Sequence, residues 1–344
     1  MSHPNLRVGL AGLGRFGSLH AGVLSSLAGV ELVALADPRA DQRQALAKRH
    51  GVARCYGDAA ELIADPDLDA VVLTTPDDQH LDQALQAIAA GKAVFVEKPL
   101  APCWADAQRL RRAAAERDVW LQVGLILRYD LPHQQLQRQI REPAFGELVS
   151  IRTKRNCSAD WFAVVADRVH TVYETMIHDL DLMLWLSNSS VTQVMALERR
   201  FGASLSPEGV FVMLEFANGC IGQAETSWFV PPGAPANVIA GSWQGSIDAE
   251  LVVVGRGQTA QIRYLDSPLQ IWGASGTLAP DTHLWPEQQS RVEGALRSEL
   301  ADFVSCVRSG QASRVANLEQ AVQGLQLAEA IVESAKLGRP VHLS

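Results

Sequence analysis

The chain has 344 residues, of which 47% are hydrophobic and 20% are charged, as in ordinary globular proteins. This length exceeds that of a usual single domain and predicts two domains. The formal net charge of −8 is spread along the chain, which argues against nucleic acid and anionic membrane surfaces as partners.

The five cysteines are far apart and form no CxxC pair, a pattern typical of reduced thiols. The N-terminus carries no charged segment ahead of an apolar stretch. No apolar run approaches the roughly 20 residues of a membrane span. We therefore expect a cytoplasmic protein with no membrane association.

The first predicted elements are a strand, a glycine-rich turn and a helix. Leu6–Ala11 is apolar, Gly12, Gly14 and Gly17 follow in a GxGxxG pattern, and the next residues favour a helix. Glycines there permit a tight turn, a close approach of backbone to pyrophosphate, and close packing of helix on strand. Asp37 ends a second strand, twenty residues after Gly17, where a ribose hydroxyl would bind. The predicted cofactor contacts are Gly12, Leu13, Gly14, Arg15, Phe16, Gly17 and Asp37.

The acid at the end of the second strand also predicts which dinucleotide binds. A carboxylate at Asp37 accepts hydrogen bonds from ribose hydroxyls and repels a 2′-phosphate, so NAD is expected over NADP. Arg39 follows closely and would partly offset that repulsion, which leaves NADP possible.

Strands and helices alternate over residues 6–124, which predicts a doubly wound parallel sheet of the Rossmann type in a domain spanning 1–124. Predicted strands are Leu6–Ala11, Glu31–Ala36, Ala70–Thr74, Ala93–Val96 and Trp120–Val123. Predicted helices lie near 15–27, 39–49, 58–63, 78–90 and 102–117.

The pattern changes beyond residue 147. A helix over 171–187 is followed by period-two runs, and two helices near 290–308 and 317–336 close the chain. This predicts a second α/β domain, 125–344, with an open, mostly antiparallel sheet. The period-two runs are Thr192–Leu197, Val210–Glu215, Ile221–Trp228, Ile247–Val254 and Gln261–Tyr264. Residues 229–243 are predicted to form a loop near the site.

Polar residues follow two of the predicted parallel strands, at the sheet edge where ligands bind. Lys98 is held extended by the proline after it, so its side chain is aimed rather than free, and it could exchange a proton with a substrate hydroxyl. The predicted cofactor contacts here are Thr74, Thr75, Pro76, His80, Glu97 and Lys98. Thr74–Thr75–Pro76 could equally form a plain turn that caps the next helix.

The helix over 171–187 carries a second candidate site. Glu174, His178 and Asp181 would share one face of a regular helix, and Glu174 would hydrogen-bond His178 and fix its tautomer. His170 extends that face, so we weighed a metal site formed with Glu174 and His178. The three ligands would diverge over two turns, and no metal is predicted.

The motifs GLGRFG, TTPDDQH, EKPL and HDLDLMLWL, in this order and spacing, closely resemble the Gfo/Idh/MocA family of oxidoreductases. The resemblance covers nearly the whole chain. It implies a Rossmann domain, a C-terminal α/β domain with an open sheet, and dimers or tetramers built through that sheet. It also implies oxidation of a secondary alcohol on a sugar or cyclic polyol.

The resemblance assigns roles to three residues. Lys98 matches the family's catalytic lysine, His178 its substrate-side histidine, and Glu174 a position where many members carry Asp. The family often reads GFNRRF where this chain reads GLILRY at 124–129, which argues against a fully hydroxylated inositol. Predicted substrate contacts are Arg128, Asn156, Asp160, Trp161, Glu174 and His178. Apolar or aromatic walls are predicted at Ile126, Leu127, Trp161, Phe162 and Trp228.

The predicted function is an NAD(P)-dependent oxidoreductase that oxidises a secondary hydroxyl of a sugar or cyclic polyol by hydride transfer to nicotinamide. Two alternatives remain at this point. One is an NAD-dependent glycosidase that works by transient oxidation, and the other is a non-catalytic NAD(P)-binding regulator.

Overall fold

The computed structural model describes residues 5–240, 243–265, 269–273, 276–289 and 291–343. The chain divides into two compact units. The N-terminal unit holds the described residues up to Tyr129 together with His283–Val322. The C-terminal unit holds Asp130–Thr282 and the described residues from Gln323 onward.

The N-terminal unit is built on a parallel sheet with the strand order β3-β2-β1-β4-β5-β6. Its order reverses beside β1, as in a doubly wound fold whose ligands bind at the carboxyl ends of the strands. The strands are β1 (Leu6–Ala11), β2 (Val30–Ala36), β3 (Arg54–Tyr56), β4 (Ala70–Leu73), β5 (Ala93–Glu97) and β6 (Leu121–Gly124). The helices are α1 (Arg15–Leu24), α2 (Ala40–His50), α3 (Ala59–Ile63), α4 (His80–Ala89) and α5 (Trp104–Arg117), with 3₁₀ turns at Asp77–Gln79 and Ile126–Tyr129.

The short edge strand β3 was absent from the predicted elements. Its three residues lack an apolar run, and Arg54 turns out to bind the carboxylates of Asp65 (2.9 Å) and Asp67 (2.6 Å). The strand is therefore held by pairing with β2 and by ion pairs, which periodicity does not detect.

The C-terminal unit contains an open mixed sheet, in the order β14-β13-β7-β10-β9-β8-β19. All neighbours are antiparallel except β7 and β10. Its elements are α6 (Leu131–Ile140), β7 (Leu148–Ser158), a 3₁₀ turn (Ala159–Trp161), α7 (Phe162–Val165), a π-helix (Val172–Met176), α8 (Ile177–Ser187), β8 (Val191–Arg199), β9 (Gly209–Phe216), β10 (Ile221–Val230), β11 (Val238–Ala240), β12 (Trp243–Gly245), β13 (Ile247–Gly255), β14 (Thr259–Arg263), β15 (Ile271–Gly273) and β16 (Gly276–Leu278). The chain continues with β17 (Glu287–Gln288), β18 (Arg291–Val292), α9 (Gly294–Ser309), α10 (Leu318–Leu337) and β19 (Val341–His342).

The predicted fold class is confirmed: a parallel Rossmann sheet and a C-terminal α/β domain with a mostly antiparallel sheet. The predicted division at 124/125 differs from the two units, because α9 packs on α1 in the N-terminal unit. Arg297 donates to the Ser26 hydroxyl (2.9 Å) and to its carbonyl (3.0 Å). Part of the predicted 229–243 loop forms β11 and β12, and residues 241–242 lie outside the described residues.

Alternation along β7 separates the two faces of the C-terminal sheet. Ile151, Thr153 and Arg155 are buried, whereas Arg152 and Lys154 lie on the other, solvent-exposed face. Since side chains alternate along a strand, one face packs against helices and the opposite face is left open. Among the described helices, none is long and apolar enough to span a membrane.

Candidate functional site

The glycine-rich turn is shaped as the predicted roles require. Gly12 has φ +85°, and a Cβ there would lie 2.5 Å from the Thr74 backbone. A Cβ on Gly17 would lie 2.0 Å from the Gly12 carbonyl oxygen, so only glycine lets α1 begin this close to β1. Within the described residues, no atom lies within 4 Å of a Cβ built on Gly14. The turn is closed on two sides and open at Gly14.

The N-terminus of α1 is suited to an anionic group. Gly14 caps it without a side-chain hydrogen bond, and its first turn holds no acidic residue. The first N–H groups of a helix lack intrahelical partners and attract phosphate. The open side of the turn and these N–H groups fit the pyrophosphate of a dinucleotide.

Asp37 is buried beside this turn, and its carboxylate is well supplied with donors. Its Oδ2 accepts from the Leu13 N–H (2.7 Å) and its Oδ1 from the Arg39 N–H (2.9 Å). The Arg39 guanidinium adds two bonds of 3.0 Å, although that side chain is 61% exposed. Burial raises the pKa of Asp37, but these donors outweigh it and leave the pKa below its usual value. A ribose hydroxyl that binds Asp37 would thus compete with the exposed arginine Arg39.

The predicted contacts after β4 mostly bond to the protein itself. The Thr74 hydroxyl donates to the Gly12 carbonyl (2.5 Å) and the Thr75 hydroxyl to Gln83 (2.6 Å). The His80 ring is buried, with Nδ1 at 2.8 Å from the Pro99 carbonyl and Nε2 at 2.9 Å from the Thr75 carbonyl, and a neutral ring donates to one of them at a time. Burial lowers the pKa of His80 even though both carbonyls oppose that shift. His80 therefore ties two loops together, a structural role that the prediction of a cofactor contact did not include.

Lys98 directly follows β5 and is half-buried, whereas Glu97 turns inward. Glu97 Oε1 lies 2.9 Å from His20 Nε2, and Oε2 accepts from the Lys98 N–H at 3.3 Å. Both Glu97 oxygens thus bond within the protein, and the predicted cofactor contact of Glu97 stays a prediction.

In the C-terminal unit, the predicted regular helix over 171–187 is a π-helix followed by α8. The wider π-turn changes the 3.6-residue spacing, and the shared face of Glu174, His178 and Asp181 stays a prediction. Glu174 makes an ion pair with Arg168 at 3.5 Å rather than serving only His178. π-Turns inside helices occur frequently at functional sites.

His178 lies in the first turn of α8, next to a buried ion pair. Its neighbour Asp179 is buried and binds the buried Arg155 of β7 through two hydrogen bonds, Nε–Oδ2 at 2.7 Å and Nη2–Oδ1 at 3.2 Å. Burial raises the pKa of Asp179, and the guanidinium of Arg155 opposes that shift. The pair fixes α8, and with it the backbone of His178, to the sheet.

His170 lies one residue ahead of this helix, and its ring bonds elsewhere. His170 Nδ1 accepts the Val172 N–H (3.2 Å), and its Nε2 lies 3.4 Å from Glu198. Burial lowers the pKa of His170, which Glu198 partly offsets. In the part of the chain that the structure describes, no three His, Cys, Asp or Glu side chains are grouped as metal ligands.

The predicted substrate residues are dispersed. Arg128 is fully buried and donates to the Val315 carbonyl (3.1 Å), which favours a structural role. The Asn156 amide is bonded at both ends on the open sheet face, to Glu225 (2.9 Å) and Ser227 (2.8 Å). Asp160 is exposed on the 3₁₀ turn. These three assignments remain predictions, and the structure favours other roles for Arg128 and Asn156.

The predicted aromatic wall is in part a packed cluster. Trp228 is buried, its ring centroid lies 5.9 Å from that of Phe162, and its Nε1 donates to the Thr171 hydroxyl (3.1 Å). Trp161 donates to the Gln244 carbonyl (3.3 Å) and is half-buried. Trp161 and Phe162 thus keep some exposed surface, whereas Trp228 serves the core.

Sequence reasoning missed the partners of the candidate catalytic residues. His20 and Arg155 are buried polar side chains that each bind a carboxylate adjacent in sequence to Lys98 or His178. A histidine on the buried side of α1 and an arginine in a strand are the only sequence signals, and neither names its partner.

The chain matches the two domains of one known protein family over most of its length. Residues 6–125 match a family described as "Oxidoreductase family, NAD-binding Rossmann fold", and residues 137–343 match its C-terminal alpha/beta domain. The chain is 27% identical to scyllo-inositol 2-dehydrogenase (NAD(+)) of Bacillus subtilis, covering 100% of this chain and 97% of that protein.

Two solved structures share the fold over nearly the full length. GenD2 from gentamicin A biosynthesis, in complex with NAD, has a TM-score of 0.83 and 26% identity, covering 100% of this chain and 98% of that one. Apo scyllo-inositol dehydrogenase of Lactobacillus casei has a TM-score of 0.84 at 20% identity, with 99% of each chain covered.

Proposed function

Because the chain belongs to the Gfo/Idh/MocA oxidoreductase family, we propose that it oxidises a secondary hydroxyl of a ring-form sugar or cyclitol, with NAD as the oxidant. One observation carries the proposal. Lys98 follows the buried strand β5, its backbone N–H is bound by Glu97, and it lies in the same unit as a dinucleotide turn that fits its ligand.

The residues that would hold NAD are those whose geometry fits it. The N–H groups at the start of α1 and the open side of Gly14 would receive the pyrophosphate, and Asp37 the adenosine ribose. When bound, NAD supplies the hydride acceptor. Thr74 and His80 support the loops around this site from within.

Two side chains would handle the proton of the substrate hydroxyl. The Lys98 Nζ atom would take this proton from the hydroxyl oxygen while the carbon that bears the hydroxyl loses hydride to NAD, and the His178 ring would hold the hydroxyl in position or pass the proton on. Glu174 would orient His178, although its contact with Arg168 means that this acid is shared. Placing the reacting groups in a fixed geometry is the main contribution expected from the protein.

The substrate class rests on relatives and on the chemistry of the residues. The Bacillus subtilis relative is named for scyllo-inositol and NAD(+), and the full-length match makes a ring polyol the natural expectation. The half-buried Trp161 and Phe162 could stack on the C–H face of such a ring. Ile126 and Leu127 are buried, so their selection of a less hydroxylated ring stays a prediction from the sequence.

A substrate screen tests this proposal. Purified protein is incubated with NAD or NADP and a panel of cyclitols, pyranoses, linear alcohols and 2-hydroxy acids, and absorbance at 340 nm is followed. We expect stoichiometric NADH formation with a ring polyol and little with linear compounds. Turnover confined to a linear hydroxy acid would contradict the substrate class, and glycoside hydrolysis without net NADH would point to the glycosidase alternative.

The open face of the C-terminal sheet supports a further proposal, a homodimer or homotetramer formed through this sheet. Large apolar side chains at 39–49% exposure form a stripe across three adjacent strands. Contiguous apolar surface of this kind marks interfaces. A twofold axis would pack the stripe of one chain against the same stripe of a second chain. The stripe consists of Leu197, Phe211, Met213 and Ile221.

Light scattering after gel filtration tests the assembly. We expect Phe211→Glu together with Met213→Glu to lower the mass to that of one chain. Leu337→Glu, at an exposed residue outside the stripe, is the matched control and should leave the mass unchanged. A monomeric wild type would contradict the proposal.

A further inference from the structure

A buried chain of hydrogen bonds runs from α1 to the backbone of Lys98. His20 Nε2 lies 2.9 Å from Glu97 Oε1, and Glu97 Oε2 accepts from the Lys98 N–H at 3.3 Å. A carboxylate only accepts, so the hydrogen of the first bond lies on His20 Nε2. The side chain of Glu97 thus folds back onto the residue that follows it.

Gly124 borders the Glu97 carboxylate on one side, and the ring of His20 is packed among aromatic side chains. A Cβ on Gly124, its neighbour on β6, would lie 2.7–2.9 Å from the three carboxyl atoms of Glu97. His20 is fully buried and is itself packed between the rings of Phe16 (centroids 5.2 Å apart) and Phe95 (5.5 Å apart). Packing therefore holds the His20 donor in place, and the hydrogen bond from His20 holds the Glu97 carboxylate.

The described hydrogen bonding of the His20 ring is confined to Glu97. Within the described residues, its Nδ1 has no hydrogen-bond partner, so the bond to Glu97 is the polar interaction around which the ring is placed. His20 lies three residues after Gly17, on the helix whose N-terminus fits the pyrophosphate. The same helix that would bind the cofactor thus carries the group that fixes Glu97.

We propose that His20 is a positioning residue for Lys98 and acts through the Glu97 carboxylate. The inference rests on the catalytic role proposed above for Lys98. Without the His20 donor, the Glu97 side chain has other rotamers available and releases the Lys98 N–H. The Lys98 amine then samples a wider volume, and proton transfer from a substrate hydroxyl slows because it depends on placement.

Three single variants separate positioning from folding. His20→Leu removes the donor at similar volume, and we expect kcat to fall about 10- to 100-fold while the Kd for NAD changes less than about threefold. His20→Gln places an amide donor near the Nε2 position and should recover most of kcat. Phe303→Leu is the control, because it alters the packing around Phe95 (ring centroids 5.7 Å apart) and leaves the His20 and Glu97 side chains in place, so its kcat should stay near wild type.

The decisive arm repeats His20→Leu in a Lys98→Ala background. A residue that acts only through Lys98 has nothing to position there, so the two Lys98→Ala proteins should have equal kcat. An equal loss from His20→Leu in both backgrounds, or no loss in the wild-type background, would overturn the proposal. If Lys98→Ala alone kept wild-type kcat, the proposed function of Lys98 would fail instead.

A second variant covers the case in which His20→Leu does not fold. Glu97→Met keeps the side-chain length but removes both acceptor oxygens, so neither the Lys98 N–H nor His20 Nε2 keeps its hydrogen bond. We expect the same split, a lower kcat with NAD binding retained. A Glu97→Met protein with wild-type kcat would equally overturn the proposal.

Discussion

The two units anchor their candidate catalytic residues in different ways. In the N-terminal unit, the buried Glu97 binds the backbone of Lys98 directly and is held by His20 from α1. In the C-terminal unit, the buried Asp179 binds Arg155 of the neighbouring strand, which fixes α8 rather than the His178 side chain itself. Contacts of single side chains therefore set the position of Lys98, whereas the placement of a whole helix sets the position of His178.

The largest effect that this comparison predicts is on chemistry at Lys98. Lys98→Met should leave NAD binding nearly intact and lower kcat by about two to four orders of magnitude, the usual contribution of a positioned acid–base group. Steady-state kinetics with fluorescence titration of NADH measures both. Lys92→Met is unsuitable as a control because Lys92 is buried and its amine donates to two backbone carbonyls. Lys48→Met, at an exposed lysine, serves instead. A Lys98→Met protein with near-normal kcat would remove this lysine from the reaction.

The next effect concerns the stability of the C-terminal unit. Asp179→Asn leaves the buried Arg155 without its counter-charge, and breaking a buried pair from one side costs about 3–5 kcal/mol in the free energy of unfolding. Replacing both partners, as Arg155→Met with Asp179→Leu, should cost much less because no charge stays buried alone. Urea unfolding measures both variants. A single variant as stable as the double one would show that the pair does not hold α8.

Local motifs of this chain were predicted from the sequence better than contacts between distant residues. The turn around Gly12 and the end of β5 were predicted closely, because each motif lies within one strand–turn–helix unit whose geometry is local. The π-helix at 172–176 was missed, because nothing in the local composition signals the change in residue spacing. The partners His20 and Arg155 were missed because their carboxylates lie 77 and 24 positions away in the chain.

The smallest predicted effect is on cofactor choice in the N-terminal unit. The Arg39 guanidinium donates to the Asp37 carboxylate, yet the Arg39 side chain is mostly exposed. It can therefore leave the carboxylate and approach a 2′-phosphate. Arg39→Gln should strengthen the preference for NAD over NADP about two- to fivefold, roughly the energy of one exposed charge contact. Arg49→Gln, exposed on the same helix, is the matched control for α2. Titration with NADH and NADPH decides the question, and an unchanged ratio would contradict a role for Arg39.

The central claim, that Lys98 and His178 serve one proton, is tested most directly by a double-mutant cycle on kcat. Lys98→Met, His178→Ala and the double variant are measured with the best ring polyol from the screen, at saturating NAD. If both groups handle the same proton, the double variant should be about as slow as the slower single variant, within roughly threefold. Losses that multiply in the double variant would show that the two residues contribute independently and would contradict this account.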